Sequence, residues 1–159
     1  SGYYIGGSNP YEEMLKRVRG FLKPGGKLIV AIENKFGLKY WGGAAEDHTG
    51  GFFDGISGYP GEAGVRTFSK PEITRLLQKA GFTHNAFYYP MPDYKLPTAV
   101  YSDAFLPKKG MLSDITVSYD RDRYVMFDEA AAYEALTEDG QFPYFANSFL
   151  IISSQEEAR

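Results

Sequence analysis

The residues best suited to chemistry lie in a glycine-rich stretch over residues 42–65. There Glu46, Asp47 and His48 place two carboxylates beside one of the chain's two histidines. A histidine side chain exchanges protons near neutral pH, so His48 is a candidate general base, with Asp47 orienting its ring. The alternative is that these side chains only brace their own loop. A metal site is disfavoured, because consecutive residues rarely converge on one ion, and none is predicted.

A second set of polar residues follows the predicted carboxyl ends of two strands. In open parallel sheets, ligands bind beyond these ends. Glu33 and Asn34 follow one apolar run, and Asp93 and Tyr94 follow another. We therefore predict substrate-binding roles for these four and for the loop residues Tyr40, Trp41, Glu46 and Arg66. Two alternatives remain: a proline-stiffened surface loop around residue 93, and an ordinary salt bridge for the arginine.

The elements that position these residues begin with a helix. Asn9 is a favourable N-cap, and Pro10 suits the first helical position. Residues 23–26, of sequence Lys-Pro-Gly-Gly, end that helix. Leu28–Ile32 then gives five apolar residues without alternation, which is typical of a strand covered on both faces.

The rest of the chain alternates between helical and strand patterns. Ser69 is the predicted N-cap of a second helix, which ends at Gly81. Prolines exclude regular structure over residues 91–98. The remaining predicted elements are strands over 83–89, 116–118 and 146–153, and a helix from Asp128 to about Thr137.

Two of the connections resemble class I S-adenosylmethionine-dependent methyltransferases. Leu22-Lys23-Pro24-Gly25-Gly26-Lys27-Leu28 is similar to the turn before the fifth strand of that fold. The helix ending Leu76-Leu77-Gln78-Lys79-Ala80-Gly81-Phe82 is similar to the helix that follows that strand. The resemblance implies that Leu28–Ile32, residues 83–89 and Phe149–Ile152 are the fifth, sixth and seventh strands.

Other segments narrow this resemblance to a bacterial subgroup joined to glycosyltransferases of cell-surface polysaccharide synthesis. They are residues 31–41, 46–50, 92–97 and 145–149. The resemblance implies methyl transfer from S-adenosylmethionine to an oxygen of a sugar, with a glycan or sugar-nucleotide acceptor, in cell wall biogenesis.

The first half of that family's domain has no counterpart here. In the family, a glycine-rich turn after the first strand and an acid after the second bind the cofactor. Gly42-Gly43 and Gly50-Gly51 lack the strand, turn and helix context of such a turn. We therefore expect a C-terminal fragment of a methyltransferase-like domain that is inactive alone. The alternative is a non-catalytic glycan-binding or scaffolding half-domain of a glycosyltransferase polypeptide.

Composition and net charge restrict the kinds of partner that this chain is expected to bind. The 159 residues, 43% hydrophobic with a net charge of −3, predict one globular domain and argue against a nucleic-acid partner. Cysteine is absent, which excludes disulfides and thiol chemistry. No apolar run approaches the roughly 20 residues of a membrane span, so a cytoplasmic setting is expected.

These observations together predict an α/β fold. The resemblance implies the C-terminal half of a Rossmann-like methyltransferase fold, with a three-stranded mixed sheet in the order five-seven-six, flanked by helices. The Gly42–Val65 loop lies at one end. An open edge on the strand Leu28–Ile32 is expected to recruit a second copy or an N-terminal segment.

Overall fold

The computed structural model describes residues 9–61, 64–115 and 121–155. Over these ranges the helices are α1 (Pro10–Gly20), α2 (Leu38–Trp41), α3 (Lys70–Lys79), α4 (Glu129–Glu138) and α5 (Phe142–Phe145). The strands are β1 (Leu28–Glu33), β2 (His84–Met91), β3 (Ala99–Ser102) and β4 (Ser148–Ser154). The predicted strand over 116–118 lies outside the described residues.

The helix starts form as their capping residues predict. The side chain of Asn9 accepts hydrogen bonds from the backbone N–H groups of Tyr11 and Glu12. At α3 the Glu72 backbone N–H donates to Ser69 Oγ at 3.3 Å, and that hydroxyl donates to a Glu72 carboxylate oxygen at 3.1 Å. Ser69 thus caps α3 by accepting one of the backbone N–H groups that a helix start leaves without a partner, and Glu72 holds the Ser69 hydroxyl in place.

The strands form one sheet in the order β1-β4-β2-β3, and every pairing is antiparallel. The predicted three-stranded mixed sheet is therefore wrong in strand count and type of pairing, and its order differs because β3 adds a fourth strand beyond β2. β4 lies between β1 and β2, which run in the same direction without touching. β3 was missed because prolines surround it. Pro90 is tolerated in β2 because it lies beyond Tyr88, the last residue that pairs with β4.

One face of the sheet packs against the helices and holds the core. Phe149 and Ile151 of β4 are fully buried there, and Phe87 of β2 packs edge-on against Phe149. Leu77 of α3 and Tyr133 of α4 complete this layer from above. The buried stripe predicted for α3, which consists of Ile73, Leu76, Leu77 and Ala80, is confirmed.

The opposite face of the sheet is apolar and bare. We call it the bare face; its members are Ile29, Ala31, Ala86, Leu150 and Ile152, all exposed or half-buried. Ile29 is 64% exposed, so the prediction that β1 is covered on both faces is wrong. The sequence pattern indicates two apolar faces but does not indicate what covers the second.

Candidate functional site

Polar side chains from three parts of the chain meet where β1 ends. The Tyr94 hydroxyl donates a hydrogen bond to a Glu33 carboxylate oxygen at 3.1 Å. Lys95 Nζ lies 3.7 Å from that same oxygen and 2.8 Å from Asp47 Oδ2. Arg121 reaches the other oxygen of Asp47 at 2.9 Å. We call this group the polar cluster; its members are Glu33, Lys39, Asp47, Asp93, Tyr94, Lys95 and Arg121.

The deepest part of the polar cluster is a buried ion pair. Lys39 Nζ and Asp93 Oδ2 are 3.8 Å apart, and both residues are about 3% exposed. The other carboxylate oxygen of Asp93 accepts the backbone N–H of Lys95 at 2.8 Å. Asn147, which was not predicted as a site residue, accepts the Lys39 backbone N–H and donates to the carbonyl of Pro92. Asn147 therefore joins the two segments that carry this pair.

Asp47 is the most strongly perturbed acid of the polar cluster. Burial acts to raise its pKa. Hydrogen bonds with the Glu33 and Lys95 side chains, and the charges of Lys39 and Lys95, outweigh burial and lower the pKa to about 2. Asp47 is thus an anion at neutral pH. Two cations hold it, so it braces the loop and the segment that contains Arg121.

The members that reach solvent decide what this site can bind. Tyr94 is half-buried, and the side chain of Lys95 is 33% exposed. Burial and the neighbouring Glu33 raise the pKa of the Tyr94 hydroxyl, which keeps it a hydrogen-bond donor. An ammonium and a phenol beside carboxylates suit a hydroxylated ligand. Tyr94 and Glu33, which follow the ends of two different strands, are thus in contact.

Three predicted binding residues are buried and serve the protein's own structure. Asn34 is fully buried, and its amide donates to the carbonyl oxygens of Tyr144 and Ala146 at 2.8 and 2.9 Å. Glu46 is 1% exposed and accepts the Gly55 backbone N–H at 3.0 Å; burial raises its pKa. Tyr40 is 1% exposed, and burial raises its pKa as well. None of these side chains is open to a ligand in this conformation.

Trp41 and Arg66 lie apart from the polar cluster. Trp41 is 40% exposed, and its indole N–H donates to the carbonyl of Phe36. Arg66 lies 3.5 Å from a Glu72 carboxylate oxygen and over the rings of Tyr59 and Phe68. The salt-bridge alternative for Arg66 is the arrangement that the structure shows.

His48 and Asp47 turn to different surroundings although they are neighbours in sequence. His48 is exposed and lines an open cleft of about 520 Å³ with Thr49, Asp54, Tyr59 and Val65. Among the described residues, no hydrogen bond joins His48 to Asp47, whose oxygens contact Lys95 and Arg121. Any role of His48 as a base therefore belongs to that cleft, and its orientation by Asp47 stays a prediction.

Three glycines of the loop pack against the chain's own atoms. A Cβ at Gly42 would lie 2.7 Å from a Glu129 oxygen, and one at Gly43 would lie 2.9 Å from Tyr124 Cβ. A Cβ at Gly51 would meet the Asp54 carboxylate at 2.3 Å. The chain's own atoms fill the space that these glycines leave. Other loop glycines, namely Gly50, Gly58, Gly61 and Gly64, have no atom within 4 Å of an added Cβ.

Two further searches of the described ranges concern metals and membranes. No group of three or more His, Asp or Glu side chains in residues 9–61, 64–115 and 121–155 is placed to hold a metal ion. No helix in these ranges is both long and apolar enough to cross a bilayer.

Comparisons with known proteins give no relative. No protein-family model, curated protein or solved structure matches the chain. The functional argument therefore depends on the residues, their geometry and the resemblance of the two connections.

Proposed function

We propose that this chain is part of a methyltransferase domain that uses S-adenosylmethionine and methylates an oxygen of a sugar or glycan precursor. The observation that carries the proposal is the position of β4, antiparallel between β1 and β2. The resemblance implies this position for the seventh strand of that fold. The two connections similar to the family lead into β1 and β2, which are the strands that flank β4.

The bare face supports the idea that the chain is one part of a larger domain. Ile29 and the rest of the bare face have no cover among the described residues, and β1 pairs on one side only. An apolar face and an open edge together are unfavourable in water. In the proposed domain, other strands and helices pair with β1 and cover this face. They also supply the cofactor site.

The polar cluster gives this part its role in the proposal. It lies at the carboxyl end of β1, where open α/β sheets bind ligands. Tyr94 and Lys95 are its members that reach solvent, so we assign it to the acceptor sugar. No step of methyl transfer is assigned to these residues, because holding donor and acceptor in line supplies much of the acceleration of such a reaction.

The test is methyl transfer by the natural full-length polypeptide. Radiolabelled S-adenosylmethionine and a panel of sugar nucleotides and surface polysaccharides serve as donor and acceptors. Incorporation of label that falls about tenfold or more in Tyr94→Phe/Lys95→Ala supports the proposal. Absence of transfer to every acceptor contradicts it.

A second candidate is a non-catalytic glycan-binding half-domain of a glycosyltransferase polypeptide. The filled glycine positions favour it, because a binding module needs no cofactor cradle. The same assay separates the two: sugar binding without label transfer indicates the module, and label transfer indicates the enzyme.

A further inference from the structure

A second cleft lies beside the polar cluster. Its volume is about 300 Å³, and its lining residues are Ala45, Phe52, Asp122, Arg123 and Tyr124. One wall belongs to the loop that follows α2, and the other belongs to the segment over residues 121–127. This volume is at the lower end of the range that holds a small ligand.

Two aromatic rings of this cleft face solvent. Tyr124 is 70% exposed and Phe52 is 48% exposed. Their ring centroids are 5.9 Å apart at an interplanar angle of 49°. Neither ring belongs to the buried core, so core packing does not account for their position.

The backbone beneath Tyr124 is held firmly although its ring is exposed. The Arg123 guanidinium is 1% exposed and makes two hydrogen bonds to the Glu129 carboxylate, at 3.2 and 2.5 Å. Arg123 Nε also donates to the carbonyl oxygen of Tyr124 at 3.0 Å. The Met126 backbone N–H donates to the carbonyl of Gly42 at 2.8 Å. A backbone held in this way loses little conformational freedom when a ligand binds to the ring above it.

The opposite wall of the cleft contains a residue with an unusual backbone conformation. Phe53, next to Phe52, has a φ of +62°, which is uncommon for a bulky side chain. Such strain persists only where the surroundings impose it, and it is frequent at binding sites. Phe52, the residue before Phe53, meets Tyr124 in the cleft.

We infer that this cleft binds a saccharide ring, stacked on Tyr124 and Phe52. Exposed aromatic faces fit the apolar C–H face of a sugar, while the exposed Asp122 carboxylate accepts hydrogen bonds from its hydroxyls. The cleft adjoins the polar cluster, because Arg121 precedes Asp122 and pairs with Asp47 at 2.9 Å. The choice of a sugar as the ligand rests on the proposed function. The existence of the cleft is independent of that function.

Saturation-transfer NMR on the 159-residue chain tests this inference. The probes are D-glucose, D-galactose, L-rhamnose and N-acetyl-D-glucosamine. Tyr124→Ala and Phe52→Ala should each weaken binding of the recognised probe by about 2- to 12-fold, the usual range of one aromatic contact. Tyr124→Phe keeps the ring and should retain binding.

Phe21→Ala is the matched control, because Phe21 is 82% exposed at the end of α1, far along the chain from the cleft. No saturation transfer with any probe overturns the inference, as does an equal loss in Phe21→Ala. Sugar binding without methyl transfer supports the inference and contradicts the proposed enzyme. If methyl transfer is unchanged in Tyr124→Ala and Phe52→Ala, the sugar-binding role of the cleft is contradicted and the proposed enzyme activity is not.

Discussion

At the scale of single residues, the Asp47 carboxylate shows how the polar cluster stabilises the chain. Its side chain is 12% exposed and bridges Lys95 and Arg121. Its pKa of about 2 lies below the ordinary value of 3.8. The contribution of the ionised Asp47 carboxylate to the stability of the folded chain is therefore complete above about pH 4, and it is lost as the pH falls through about 2.

Asp47→Asn should lower the free energy of unfolding by about 2 kcal/mol at pH 7. It should also flatten the dependence of stability on pH between about 5 and 2, because one titrating group is gone. Chemical denaturation across this pH range measures both effects. Asp114→Asn, at an exposed aspartate, is the control and should change neither. Equal curves for Asp47→Asn and the unmodified chain would show that the charge network is dispensable.

His48→Ala addresses the predicted base in the full-length enzyme. Loss of a positioned general base lowers turnover by about 10²–10⁴-fold. Folding should change little, because the side chain is exposed. Near-normal turnover of His48→Ala in the radiolabel assay would leave positioning as the role of this loop.

The sequence predicted the convergence of the site residues better than their roles. Glu33 and Tyr94 meet because both follow strand ends, and strand ends are visible as apolar runs. Asn34 and Glu46 were assigned to a ligand, but they hydrogen-bond the protein's own backbone. The same polar residue types can hydrogen-bond the buried backbone or contact a ligand at the surface. Which of the two occurs depends on whether the residue is buried, and burial is determined by segments that are distant in sequence.

At the scale of elements, Gly43 sets the distance between the loop and the 121–127 segment. Its φ is +111°, and an added Cβ would lie 2.9 Å from Tyr124 Cβ and 3.0 Å from the Tyr124 carbonyl oxygen. A side chain here is therefore opposed by both backbone strain and a steric clash.

Gly43→Ala should destabilise the chain by more than about 1 kcal/mol and weaken sugar binding at the neighbouring cleft. Gly20→Ala is the matched control. Gly20 ends α1 with no atom within 4 Å of an added Cβ, so this change should be neutral or stabilising. Denaturation curves measure the difference. A Gly43→Ala chain as stable as Gly20→Ala would contradict close contact between these segments.

The elements were predictable where local chemistry determines them. Asn9, Ser69 and Asp128 each cap the helix that follows, as their residue types predict. β3 is four residues long and pairs only with β2, so its formation depends on a neighbour rather than on its own pattern. A strand this short does not show the alternation of apolar and polar residues from which a strand can be predicted.

At the scale of the whole molecule, the bare face and the open edge of β1 should cause association of the isolated chain. Light scattering should show a mass that rises with concentration. Ile29→Lys should reduce the association, because a charge on an edge strand disfavours further pairing. Leu96→Lys is the control, since Leu96 is 76% exposed away from the sheet. A monodisperse monomer at all concentrations would contradict the exposed edge.

The same reasoning predicts weak cofactor binding. The isolated chain should bind S-adenosylmethionine with a Kd above about 1 mM, corresponding to about −4 kcal/mol. The physical reason is that no strand, glycine-rich turn and helix of the kind that binds this cofactor is present in the sequence. Titration calorimetry measures this, with adenosine as a control for non-specific binding. Stoichiometric micromolar binding would show that a cofactor site is complete within these residues.

The place of β4 at the centre of the sheet has a consequence for biosynthesis. Leu28 pairs with Ser153, so the hydrogen bonds between β1 and β4 form only after the last strand of this sheet has been synthesised. β2 likewise gains its second neighbour only when β4 arrives. During translation, an apolar β1 leaves the ribosome long before its partner, and such late, long-range pairing is slow and prone to aggregation. A nascent chain of this design should therefore depend on a chaperone that shields residues 28–33 until synthesis has passed residue 154.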